Sequence, residues 1–281
     1  MGDDRRVEEN YQRILRSRSY RVAYRDVEFL SDPRLRPTRM ELELLKPELV
    51  LQENRVVSTV VVFGSTRIAD PATAQRNLEL ARARLADTPD DPRRRREVAR
   101  AERILAKSRY YELARQFAAM VSQHGQRQQT LEYVIITGGG PGIMEAANRG
   151  AFESGAKSIG LNIRLPKEQK PNPYITPELC FQFHYFAMRK FHFLLRAKAL
   201  VVFPGGFGTL DELFDAMTLR QTQRMQDIPI IIFGREYWER VVDFQFLADE
   251  GTIDDSDLDL FRFADTPQEA WEMILRFHGE L

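Results

Sequence analysis

Cysteine is almost missing from this chain: Cys180 stands alone among 281 residues, so no internal disulfide can form. A lone cysteine in a chain of this size suits a reducing compartment. Long apolar runs are missing too, and none approaches the roughly 18 uninterrupted residues of a membrane span. The first 18 residues are polar and charged without an apolar centre, which speaks against a secretory signal; the expected location is the cytoplasm. Neither charge is in excess, since 41 Lys and Arg balance 41 Asp and Glu. Without a global field to grip nucleic acid or an anionic membrane, neither is expected as a partner, and any anion site must be local. His124, His184, His192 and His278 are scattered, with no cysteine or carboxylate at metal-ligand spacing. No metal is expected.

What the chain does have is β-branched apolar runs alternating with helical stretches. Residues 56–63, 133–137, 157–163, 199–203 and 228–233 read as buried strands. Helices are expected over 143–154, 185–197, 209–222 and 237–248. A long helical stretch, broken at 88–92, lies between the first two strands, and a proline-punctuated loop spans 166–177. Residues 261–263 and 267–277 fit a last strand and helix. Repeated β–α units predict an α/β fold: a Rossmann-like, doubly wound parallel sheet with helices on both faces. Residues 1–55 read as a helical, irregular N-terminal arm, cut into short pieces by Pro33, Pro37 and Pro47. Residues 56–281 read as the nucleotide-binding domain. Arg93, Arg94, Arg95 and Arg96 admit two readings, a phosphate patch or a solvated helix start beside Asp90, Asp91 and Glu97. Zero net charge favours the second.

Three strands end in glycine-containing turns that lead into helices: Gly64-Ser65, Gly138-Gly139-Gly140-Pro141-Gly142 and Pro204-Gly205-Gly206-Phe207-Gly208-Thr209. In an open parallel sheet, ligands bind outside the carboxyl ends of the strands. A helix N-terminus there offers unpaired N–H donors and partial positive charge, both suited to phosphate, and glycine lets the backbone approach the anion. One such turn need be no more than a tight connection. Three at equivalent strand ends point to a nucleotide or sugar phosphate, cradled by Gly64, Ser65, Gly139, Gly140, Gly205, Gly206 and Gly208. The spacing completes neither the dinucleotide fingerprint nor the P-loop. Thr209 sits where an N-cap is expected, placed to cap the helix or to bond a phosphate oxygen. Glu212, three residues on, is either a cleft carboxylate or the partner in a capping box. Asp211 points about 100° away round the helix, so only one of the two faces a cleft. Arg189 and Lys190 precede an apolar helical run, where a solvated helix start is the plainer reading.

Met188-Arg189-Lys190 followed by Pro204-Gly-Gly-Phe-Gly-Thr-Leu-Asp-Glu212 resembles the signature of the Lonely Guy (LOG) family of cytokinin-activating phosphoribohydrolases, whose members were often labelled lysine decarboxylases. The likeness runs from about residue 56 to the C-terminus. It takes in Gly138-Gly-Gly-Pro-Gly-Ile-Met-Glu-Ala-Ala-Asn148 and Gly160-Leu-Asn-Ile-Arg-Leu-Pro166. It implies hydrolysis of the N-glycosidic bond of an AMP-like or cytokinin-type nucleoside 5′-monophosphate, giving free base and ribose 5-phosphate. The essential pair would be Arg189 and Glu212. Lys190, Gly206, Gly208, Thr209 and Thr218 fall where the family contacts the nucleotide, and Gly64 and Ser65 match its first Gly-Ser turn. Glu168 is the candidate for a ligand glutamate in the loop before the Arg-Lys helix. The family also implies a homodimer or larger homo-oligomer and no cofactor.

Such chemistry is physically consistent. Cleaving the C1′–N9 bond builds positive charge on the ribose, which a carboxylate stabilises while orienting water. Arg189 is suited to bridge phosphate and ribose, whereas Lys190 alone is poor support for a pyridoxal-type decarboxylase. The arm, the Arg-rich insertion and the Gly-Pro-Gly-Ile-Met-Glu turn resemble the longer bacterial form, leaving adenine, cytokinin or another purine as the base. A non-catalytic nucleotide or molybdenum-cofactor carrier using the same cradle is the alternative. Retention of Arg189 together with Glu212 argues against it.

Overall fold

A computed structural model describes residues 2–127, 130–165 and 170–281, so Glu168 lies outside the described residues. The chain forms two compact units, Met1–Lys46 and Pro47–Leu281. The first opens with α1 (Gly2–Arg16), whose first turn carries Asp3 and Asp4 and whose last carries Arg13 and Arg16, matching the helix dipole at both ends. A short α2 (Val27–Leu30) is capped by Asp26, which accepts from the Phe29 N–H. The prolines do not fragment this region as expected. Pro33 begins a 3₁₀ turn, and Pro37 lies in the first turn of α3 (Arg36–Glu53), where a missing N–H leaves nothing unpaired. Pro47 sits inside the same unbroken helix; it forgoes only the bond to the Glu43 carbonyl.

The second unit is built on seven parallel strands: β1 (Thr59–Phe63), β2 (Val134–Thr137), β3 (Ser158–Ile163), β4 (Cys180–Phe183), β5 (Ala197–Val202), β6 (Ile230–Phe233) and β7 (Phe261–Ala264). Their spatial order is 4-3-2-1-5-6-7, and every neighbouring pair is parallel. β1 starts later than expected, Val56 making only an isolated bridge to Leu131. β4 has no counterpart among the expected strands: four residues of alternating burial are too short to show a period.

Side chains alternate across the strands. Val60, Val62, Ile135 and Val201 face one core, completed by α6 (Arg109–Gly125), α7 (Ile143–Glu153) and α12 (Pro267–Phe277). Val61, Phe63, Ile136 and Val202 face the other, covered by α8 (Phe186–Leu195), α9 (Phe207–Gln221), α10 (Arg235–Trp238) and α11 (Phe244–Asp249). Both faces are therefore buried, which is why the strands read as continuous apolar runs. The single helix expected over 237–248 is in fact α10 and α11. Between β1 and β2 lie α4 (Pro71–Asp87) and α5 (Pro92–Lys107). On α5, Arg94 pairs with Glu97 at 2.8 Å and Arg95 with Asp90 at 3.0 Å, while Asp91 caps the helix through the Arg93 N–H. No residue of α5 is buried; it is a solvated helix start. No helix of the described residues is long and apolar enough to cross a membrane.

Candidate active site at the strand switch point

From β1 the chain winds outward through β2, β3 and β4, then returns to place β5 on the other side of β1. The crevice at that reversal is where open α/β sheets bind ligands. Here it is a cleft of about 590 Å³. The three glycine turns meet beneath it and are tied together. The Ser65 N–H donates to the Pro204 carbonyl at 3.0 Å, and the Ser65 carbonyl accepts from the Ile143 N–H at 3.1 Å. Gly142 is held at φ +76°, and a Cβ on it would lie 2.3 Å from the Ser65 carbonyl oxygen. No other residue fits that position without moving the first turn.

The helix that supplies the cradle starts two residues earlier than expected. Gly206 is the N-cap of α9, and Thr209 is its third helical residue. Glu212, sixth in the helix, is therefore no capping-box partner. A Cβ on Gly206 or on Gly208 would meet nothing within 4 Å, and neither has a positive φ. Packing does not demand these two glycines; they leave the first turn of α9 bare toward the cleft. Phe207 between them is 92% exposed. Thr209 is buried, with its hydroxyl beside the Cα of Gly205.

Opposite this turn, α8 brings Arg189 to Glu212, Nη2 to Oε1 at 3.0 Å. Their side chains are only 13% and 9% exposed. Phe186 and Phe193 flank the guanidinium, 5.2 and 5.4 Å from ring centroid to Cζ, so the cation is held by aromatic faces. Among the described residues its Nε is buried without a hydrogen-bond partner. Burial pushes the Glu212 carboxyl up to about 7, against the opposing pull of Arg189 and Lys190. Burial also lowers the Arg189 pKa, though a guanidinium remains charged at neutral pH. Near pH 7, Glu212 is thus poised between acid and carboxylate.

Of the residues expected at the site, Gly64, Ser65, Arg189, Gly206, Gly208, Thr209 and Glu212 line the cleft. Gly139, Gly140, Lys190, Gly205 and Thr218 do not. The Gly139 N–H donates to Thr137 Oγ1, its carbonyl takes the Asn172 N–H, and the Gly140 carbonyl takes Asn172 Nδ2. These glycines anchor the neighbouring loop; Gly138 is the one at the cleft. The Gly205 carbonyl accepts from the Tyr237 hydroxyl at 2.6 Å. Lys190 turns away to Asp211 at 2.9 Å and Asp215 at 3.5 Å. Thr218 is exposed and donates back to the Phe214 carbonyl. Sequence reasoning missed Arg67, Met144, Asn162 and Phe186 in the lining. Asn162 had a signal, being the one polar residue among the last four of a buried strand (Gly160–Ile163). Among the described residues no three His, Cys, Asp or Glu side chains are placed to hold a metal ion.

Residues 144–274 match the family model described as "Possible lysine decarboxylase". No curated protein matches the chain. Among solved structures, the molybdenum cofactor binding protein from the phototrophic bacterium Rippkaea orientalis is 18% identical, over 60% of this chain and 87% of that one, with a TM-score of 0.44. The structural-genomics protein TM1055 is 23% identical, over 78% of this chain and 99% of that one, with a TM-score of 0.48. The stretch 144–274, which supplies Arg189, Thr209 and Glu212 to the cleft, is thus the part that matches the family described as possible lysine decarboxylase, the former label of the Lonely Guy (LOG) family.

Proposed function

We propose that this protein is a phosphoribohydrolase that cleaves the N-glycosidic bond of a purine nucleoside 5′-monophosphate, adding water at C1′ and releasing free base and ribose 5-phosphate. The observation that carries this reading is the buried Arg189–Glu212 pair facing the bare first turn of α9. The 5′-phosphate takes the unpaired N–H groups and positive end of that helix, with the Thr209 hydroxyl at its side. The ribose then lies against the pair. As the C1′–N9 bond stretches, positive charge grows on the sugar ring. The Glu212 carboxylate, itself largely buried, stabilises that charge and orients the attacking water. Arg189 spans phosphate and sugar and holds the reactive pose.

Incubation of purified protein with AMP and with isopentenyladenosine monophosphate, followed by chromatography, tests the reading. Free base is the expected product. Glu212→Gln should abolish its release while nucleotide still binds. Nucleotide bound by the native protein but never cleaved would mark the cleft as a carrier site instead.

A further inference from the structure

Asn162 stands at the carboxyl end of β3 and lines the same cleft. β5, which leads into α9, and β3 are three strand spacings apart, about 14 Å. A nucleoside monophosphate stretched across the strand ends with its phosphate on α9 therefore brings its base to β3. Met144, Ile163 and Phe186 are among the apolar residues of the same lining. Asn162 itself is only 9% exposed.

Its amide is fixed from two sides. Nδ2 donates to Cys180 Sγ at 3.4 Å, from the neighbouring strand β4. Its Cγ, Nδ2 and Oδ1 lie so close over Gly139 that a Cβ there would approach them within 2.5–2.7 Å. With Nδ2 engaged, Oδ1 is the free end. It has no hydrogen-bond partner among the described residues and is not a buried orphan, so it meets whatever fills the cleft.

We infer that Asn162, oriented by Cys180 and Gly139, reads the six-position of the purine, so that the cleft takes a 6-amino base and rejects a 6-oxo base. This rests on the nucleotide reading of the cleft given above. Oδ1 accepts from an exocyclic amine, as in adenine. Against guanine or hypoxanthine it faces another acceptor, leaving two oxygens unpaired in an apolar pocket. Asn162 touches the base; Cys180 is a positioning residue whose sulfur accepts from the amide nitrogen.

Calorimetric titration with AMP, GMP and ribose 5-phosphate tests this on the wild-type, Asn162→Ala and Cys180→Val proteins, with base release followed in the same samples. Wild type should bind AMP on the order of tenfold to a hundredfold more tightly than GMP. Asn162→Ala should bring the two within about twofold, and Cys180→Val should lower the ratio without touching the ligand. Ribose 5-phosphate affinity should stay constant in all three, which also reports that the variants are folded. A ratio that survives Asn162→Ala, or a wild-type preference for GMP, overturns the inference. An Asn162-dependent preference without any base release would sink the hydrolase reading and leave this one standing.

Discussion

Glu212 and Arg189 gain their chemistry from being buried together. Burial alone would discharge a carboxyl, and a guanidinium alone would hold it ionised; here burial wins by enough to set the Glu212 pKa at about 7. The working form in the proposed reaction is the carboxylate. The kcat/KM for AMP should therefore rise with pH and level off above about 7, as the free enzyme loses that proton. The second phosphate ionisation of the substrate, near pKa 6, is separate. A flat profile between pH 6 and 8 would remove Glu212 from the charge-bearing role. That only one of Asp211 and Glu212 faces the cleft was legible from helical angles; that it is Glu212 shows only in the lining. That Lys190 turns to Asp211 and Asp215 was not legible, because a lysine's direction depends on carboxylates that only the packing of α8 on α9 brings near.

Among the elements, α9 shows most clearly where structure yields to a ligand. Gly208 is its second residue, where alanine would be worth up to about 1 kcal/mol more helix stability. No neighbour would clash with the added methyl. Gly208→Ala should leave the melting temperature unchanged or higher, yet weaken ribose 5-phosphate on the order of tenfold. Equal affinity in that variant would mean the phosphate does not sit on this turn. The three glycine turns were legible as a group because each ends a continuous apolar strand. Their separate duties were not. Gly142 is required by φ and by the Ser65 carbonyl, Gly139 by the Asn162 amide, and Gly206 and Gly208 by neither. Those distinctions depend on partners 20 to 80 residues away in sequence. α3 was misread for a related reason: a rule about single prolines says little when one falls in a first turn and the next forgoes one backbone bond in an 18-residue helix.

At the scale of the molecule, the balanced charge gives a distant phosphate no long-range pull, so affinity must come from the cleft. Among the described residues, those lining it all fall between Phe63 and Glu212, inside the unit Pro47–Leu281. A protein beginning at Pro47 would carry that proline at the first position of its opening helix, where the missing N–H leaves nothing unpaired. It should fold and bind ribose 5-phosphate within about twofold of the full chain; a loss of binding would give residues 1–46 a share in the site. Seen from the solvent, the buried pair also makes binding a proton exchange. A phosphate dianion arriving near a carboxyl that titrates at about 7 raises its pKa further, and the protein must draw a proton from the buffer as the ligand enters. The heat of binding at pH 7.5 should then differ between buffers of unlike ionisation enthalpy, and Glu212→Gln should erase the difference. Whatever nucleotide this protein meets, its grip should loosen as the surroundings turn alkaline.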